Sequence, residues 1–98
     1  MTDATALAVQ DGSTFRASKD THTRKFGDEL VLLELSRGEY FSLDELGARI
    51  WDELVAGRSV GEVVVGLAAD YDAPVERLRA DLLTLLDDLV SRGLLVGP

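Results

Sequence analysis

The chain has 98 residues, enough for one domain around one small core and too few for two. Apolar residues make up 46% and aromatics only 6%, so leucine and valine must fill that core; the lack of cysteine excludes disulfides, thiolate catalysis and cysteine-ligated zinc. The net charge is −8, which argues against the phosphate backbone of nucleic acids and against anionic membranes, and leaves a basic or neutral peptide as an acceptable partner.

The charge is unevenly spread. From Met1 to Asp28 four acids balance four bases, whereas from Glu29 onward 14 acids face six bases, all of them arginine. No run of 18 apolar residues is present, and the N-terminus lacks a basic stretch followed by an apolar one. A cytoplasmic protein without a membrane span is the expectation.

Residues 1–13 are small and polar without a period and read as a flexible N-terminal tail, leaving 14–98 as the domain. Thr14 to Ala17 (TFRA) fits a short strand. Thr21 to Phe26 (THTRKF) is an alternative or additional strand of unusual polarity, ending at a tight Gly27-Asp28 turn. Leu30 to Leu35 (LVLLEL) is nearly continuously apolar, which predicts a central strand buried on both faces. Ser36-Arg37-Gly38 suits a three-residue hairpin loop with Gly38 left-handed, and Glu39 to Leu43 (EYFSL) returns as the next strand.

Helical spacing follows. Ser42 and Glu45 have capping-box spacing, Phe41 and Leu46 match a hydrophobic staple, and Asp44 is a competing N-cap. Leu46, Ile50, Trp51 and Leu54 make the first apolar face, which Gly57 ends. Ser59 and Glu62 form a second capping box, opening a helix with Val60, Val63, Val64, Leu67, Ala68 and Tyr71 on one face. Pro74 opens a third helix, whose stripe runs through Leu78, Leu82, Leu85, Leu86 and Leu89 to a C-cap at Gly93. Leu94 to Val96 are expected to pack back on the core. The fold class is therefore α+β: a small antiparallel meander, then three helices.

Catalytic signatures are missing. His22 is the one histidine and sits in a polar segment, with only Asp20 and Asp28 nearby as further metal ligands. The pairs Asp44/Glu45, Asp52/Glu53 and Asp87/Asp88 are adjacent on helices and point about 100° apart. No nucleophile elbow, phosphate loop or dinucleotide fingerprint occurs. The reading is a non-enzyme with no cofactor and no metal.

What remains is binding surface. The strand Glu39–Leu43 runs straight into a helix, so no later strand covers its edge, and an open edge can accept an extended peptide. Tyr40 and Phe41 point to opposite faces, which gives one to the core and one to a guest, or, in the alternative, both to the core. On the third helix the stripe widens toward Leu83, Leu86 and Val90 on one side and toward Asp81 and Leu85 on the other. Either flank can wall a groove against the edge strand.

The runs LVLLELSRGEYFSLDELGARIWDEL and RSVGEVVVGLAADYDAPVERLRADLLTLLDDLVSRGLL carry a family pattern in their order and spacing. Its parts are an apolar strand, a Gly-Glu-Tyr hairpin return, a Leu-Asp helix start with Gly47, Ile50 and Trp51, a valine-rich helix, Tyr71-Asp72, Asp81-Leu82 and a closing Gly93-Leu94-Leu95. From Glu29 to Val96 the chain resembles the PqqD-like family, the recognition elements of ribosomal peptide (RiPP) pathways. The resemblance implies a winged helix-turn-helix-like fold, a three-stranded antiparallel sheet followed by three helices. It implies that a precursor's leader peptide adds as a strand beside Glu39, Tyr40, Phe41, Ser42 and Leu43, in a groove against the third helix at Leu78, Asp81, Leu82 and Leu85, with Leu86 beside them. A stand-alone copy is similar to the discrete recognition proteins of lasso-peptide biosynthesis. Such a protein hands the precursor to a separate, transglutaminase-like leader peptidase, with a macrolactam synthetase acting afterwards. The family often has asparagine where Asp44 stands here, and both cap helices.

Two other readings compete. A winged-helix DNA-binding regulator shares the architecture, but its third helix would set Arg77, Arg79 and Arg92 against Glu76, Asp81, Asp87 and Asp88. A structural or dimerisation subunit would bury the third strand in a partner.

Overall fold

The apolar run LVLLEL takes the middle of the sheet. The computed structural model describes residues 11–97. In chain order these form β1 (Arg16–Ala17), β2 (Thr21–Phe26), β3 (Glu29–Glu34), β4 (Glu39–Leu43), α1 (Glu45–Val55), α2 (Val60–Asp70), α3 (Val75–Ser91) and β5 (Leu95–Val96). The main sheet is antiparallel with order β2-β3-β4, and the three helices follow it, so the α+β reading holds.

Burial on both faces of β3 does not hold. Leu30 and Leu32 are buried, Val31 and Leu33 only half-buried, and Leu35 lies past the strand end with 60% of its surface exposed. The helices cover one face of the sheet, so the apolar run marks a central strand in a two-layer domain.

The polar segment THTRKF is a full strand, paired from Thr21↔Glu34 to Phe26↔Glu29. Its polarity fits an edge strand whose side chains from His22 to Phe26 face solvent. TFRA contributes only Arg16 and Ala17, which pair with Val96 and Leu95 of β5 in a separate two-stranded clasp. The closing Leu94 and Leu95 are buried, as expected of residues returning to the core.

Turn chemistry follows the glycines at two points. Gly27 (φ 62°) closes the β2–β3 hairpin. Gly38 (φ 67°) ends a four-residue β3–β4 connection, Leu35 to Gly38, one residue longer than the sequence spacing implied. Glu34 explains the extra residue. Its carboxylate, 4% exposed, accepts hydrogen bonds from the Ser36 hydroxyl (2.7 and 2.9 Å) and the Arg37 amide (2.8 Å) and so organises the turn.

Asp44, not Ser42, caps α1: its Oδ1 accepts from the Gly47 amide at 2.8 Å. The α2 capping box is complete in both directions, Ser59 with Glu62. Pro74 stands one position before α3, as its N-cap, since its ring fixes φ without needing a partner for an N–H. Gly93 (φ 77°) ends that helix, and the Leu94 amide bonds back to the Leu89 carbonyl at 2.9 Å.

Helices and sheet share one core built around Leu32, Trp51, Leu54, Val63, Leu67, Leu82 and Leu89, each at most 3% exposed. Each such side chain stabilises the fold by about 1.5–3 kcal/mol through burial. Arg49 links α1 to α2: it pairs with Glu53 (2.8 Å) and Asp70 (2.6 Å), donates to the Gly66 carbonyl (3.2 Å) and lies over the Tyr71 ring. Of the segment read as a tail, residues 1–10 lie outside the described residues. The Asp11 and Ser13 carbonyls accept from the Gly61 and Val60 amides at the start of α2, and Asp11 pairs with Arg79.

Candidate functional site: an open strand edge beside an apolar trough

β4 is the last strand of its sheet. Its register against β3 puts Leu43 opposite Leu30 and Phe41 opposite Leu32, on the face the helices cover, while Tyr40 and Ser42 face outward. Beyond β4 no further strand is paired among the described residues, and no backbone group from another segment bonds to it. Alternate amides and carbonyls of an edge strand point away from the sheet, so β4 presents a row of donors and acceptors that no other described residue pairs.

Beside that edge lies an open trough of about 450 Å³. Phe41, Leu43, Leu46 and Ile50 supply its apolar surface from β4 and α1, and Leu85 supplies it from α3. Asp44 and Asp81 stand at its rim. The flank of α3 that carries Asp81 and Leu85 is therefore the one turned to the strand, which decides between the two flanks left open by the sequence.

The opposite end of β4 is braced. Arg92 covers the Phe41 ring at 4.5 Å and pairs with Asp88 at 3.3 Å, while Arg37 donates to the Ser91 carbonyl at 3.5 Å. A small cleft between Glu39, Phe41 and Arg92 lies there. Nearby, hydrogen bonds from the Ser36 hydroxyl, with help from the Arg37 amide, hold the Glu34 carboxyl below the usual carboxylate range.

Of the residues expected at the site, Phe41, Ser42, Leu43, Asp81 and Leu85 come together around the trough. Glu39 sits at the braced end of the strand. Tyr40 is 71% exposed on the outer face, so Phe41 is the aromatic turned to the trough. Leu78, Leu82 and Leu86 are buried in the core and position α3 from beneath. Sequence reasoning missed Leu46, Gly47 and Ile50 as lining residues, and Arg92 as a brace. With Asp44 as the N-cap, Phe41 and Leu46 are out of register for a staple, although both line the trough; the available signal was the apolar face of α1, on which Leu46 and Ile50 stand one turn apart.

Among the described residues no three or more His, Cys, Asp or Glu side chains converge to hold a metal ion, and no helix is long and apolar enough to cross a membrane.

The same architecture occurs in solved structures. A chain described as TbiB1 in complex with the TbiA(beta) leader peptide superposes with a TM-score of 0.78 at 35% identity, over 82% of this chain and 93% of that one. A lasso peptide synthetase B1 complexed with the leader peptide superposes with a TM-score of 0.79 at 26% identity, over 84% and 96%. In sequence, the PqqA binding protein of Bradyrhizobium diazoefficiens is 38% identical over 52 residues, 53% of this chain and 50% of that protein. The matched stretch thus spans half the length of that relative. The model of the family described as coenzyme PQQ synthesis protein D (PqqD) matches residues 29–95, from the start of β3 to the start of β5. The chain belongs to the PqqD family.

Proposed function

We propose that this chain captures the leader peptide of a ribosomally made precursor by strand addition along β4, with guest side chains lying in the trough against α3. The observation that carries the reading is the pairing of a free strand edge with an apolar trough on the same side of the domain. Backbone hydrogen bonds along β4 supply sequence-independent affinity, and the trough selects side chains.

The chain makes and breaks no bond in this reading. It raises the effective concentration of the precursor at a separate, transglutaminase-like leader peptidase, and a macrolactam synthetase acts on the product. The lasso-peptide setting draws support from the two complexes, whose chains are matched almost end to end. A cytoplasmic site of action goes with that setting.

The test is a titration of isotope-labelled protein with the leader peptides of those two complexes, followed by NMR. Binding here is expected to shift the amides of Glu39 to Leu43 together with Asp81 and Leu85. Asp81→Arg, a change at an exposed position, should weaken the interaction without lowering the melting temperature. Shifts confined to the outer sheet face or to α2, or none with either peptide, would overturn the reading.

A further inference from the structure

The trough is apolar below and acidic at its rim. Both rim carboxylates are exposed. Asp44 Oδ1 accepts from the Gly47 amide, and its charge has no ionic partner among the described residues. Asp81 has one ionic neighbour among them, Arg77, at 4.0 Å, with both side chains more than half exposed. No cation lines the trough. Other basic side chains near the helical layer are already engaged: Arg49 with Glu53 and Asp70, Arg58 with Glu53, Arg79 with Asp11, Arg92 with Asp88 and Lys25 with Asp52, while Arg37 donates to the Ser91 carbonyl.

We infer that the peptide accepted here carries a lysine or arginine whose charge settles at Asp44 and Asp81, two positions from a bulky apolar residue that fills the trough. The spacing follows from strand geometry, because residues i and i+2 of an added strand face the same side. The residue type follows from the lining. A lysine or arginine lays its methylene stem along Leu46 and Leu85 and keeps its charged end at the rim. An acidic residue at that position would meet two carboxylates with no compensating base in the trough. The 14-to-six excess of acids beyond Asp28 adds a long-range attraction for such a peptide, which speeds association at low salt.

This inference rests on the strand-addition reading, and the experiment separates the two. A displayed library of random 12-residue peptides is selected on the full chain and on the Asp44→Asn/Asp81→Asn double variant. Asparagine still caps a helix, and Asp81 is exposed, so the variant keeps its fold. Selected peptides are synthesised and mapped by NMR. Peptides that shift the β4 amides, carry the spaced base on the wild-type chain and lose it on the variant are the expected result. The corresponding affinity should fall about two- to fivefold for each carboxylate removed, less at high salt. Replacing the peptide's base by glutamine should make the carboxylate substitutions silent. Asp81→Lys should recover binding to a peptide whose base is replaced by glutamate. Peptides that bind at β4 with no basic preference, or with the same preference on both proteins, overturn the inference and leave the strand-addition reading standing. Peptides that bind only elsewhere overturn both.

Discussion

The guanidinium of Arg92 lies over the ring of Phe41, its central carbon 4.5 Å from the ring centroid, with Asp88 holding Nε at 3.3 Å. The last turn of α3 is thereby fixed onto the strand that offers the free edge. A cation over a partly exposed ring is worth about 0.5–1 kcal/mol. Arg92→Met keeps the aliphatic stem and removes the charge. It should lose about that amount in urea denaturation with an unchanged m value, and it should broaden the β4 amide resonances.

Two glycines in helices should respond oppositely to alanine. At Gly47 a Cβ would stand 3.2 Å from Leu43 Cβ and Cδ2 and 3.3 Å from Asp44 Oδ1. Leu43 is buried and cannot withdraw easily, so the crowding outweighs the helix-propensity gain of about 1 kcal/mol. Gly47→Ala is expected to cost about 1 kcal/mol net and to weaken peptide binding by displacing Leu43. At Gly66 the nearest atoms are the ends of Arg49 and Glu53, at 3.5 and 3.6 Å, an ordinary contact distance. Gly66→Ala should stabilise the protein by about 0.5–1 kcal/mol and leave peptide affinity alone. Denaturation curves for both variants check the contrast.

Glu34 should give the domain an acid-sensitive turn. Hydrogen bonds from Ser36 and Arg37 favour its charged form, so its carboxyl titrates below the usual range when folded. A lowered folded value means that the group's contribution is fully present above the ordinary carboxylate range. It is lost as pH falls through the folded value. Glu34→Gln should therefore lower the melting temperature at neutral pH. The gap to the wild type should close as pH falls below the ordinary carboxylate range and through the lowered folded value. A gap that stays constant from neutral to acid pH would show that the charge does not hold the turn.

Arg49→Lys tests the joint between α1 and α2. Lysine can keep one of the contacts to Glu53, Asp70 and the Gly66 carbonyl, but it lacks the planar fork that reaches all three. A loss of about 1–2 kcal/mol is expected, with the β4 NMR shifts on peptide addition retained.

The sequence carried the order of elements because its strongest local signals are chemically explicit. The Ser59–Glu62 box, the leucine stripe of α3 and the left-handed glycines at 27, 38 and 93 each allow few alternatives. It carried the edge strand too, since the helix that starts after Asp44 takes the chain out of the sheet directly behind Glu39–Leu43. It was ambiguous where the outcome depends on a distant neighbour. Leu30–Leu35 looks the same whether one or two layers cover it, and only the helix placement leaves Val31 and Leu33 half-exposed. Likewise Leu82 and Leu85 are indistinguishable as letters. The rotation of α3 buries the first and turns the second to the trough. The pairing of Arg16–Ala17 with Leu95–Val96 joins segments nearly eighty residues apart and leaves no local trace.

That clasp has an architectural consequence. Because β1 and β5 lie side by side, the first and last strands of the domain meet in a pairing of their own, separate from the sheet that ends in β4. Such a layout lets it be spliced as a cassette into a loop of a larger enzyme, or hung from either terminus. A permuted version, joined from Gly97 to Asp11 through a flexible linker so that the buried Phe15 is kept, and reopened at the Gly57 bend, should fold with its receptor edge unaltered.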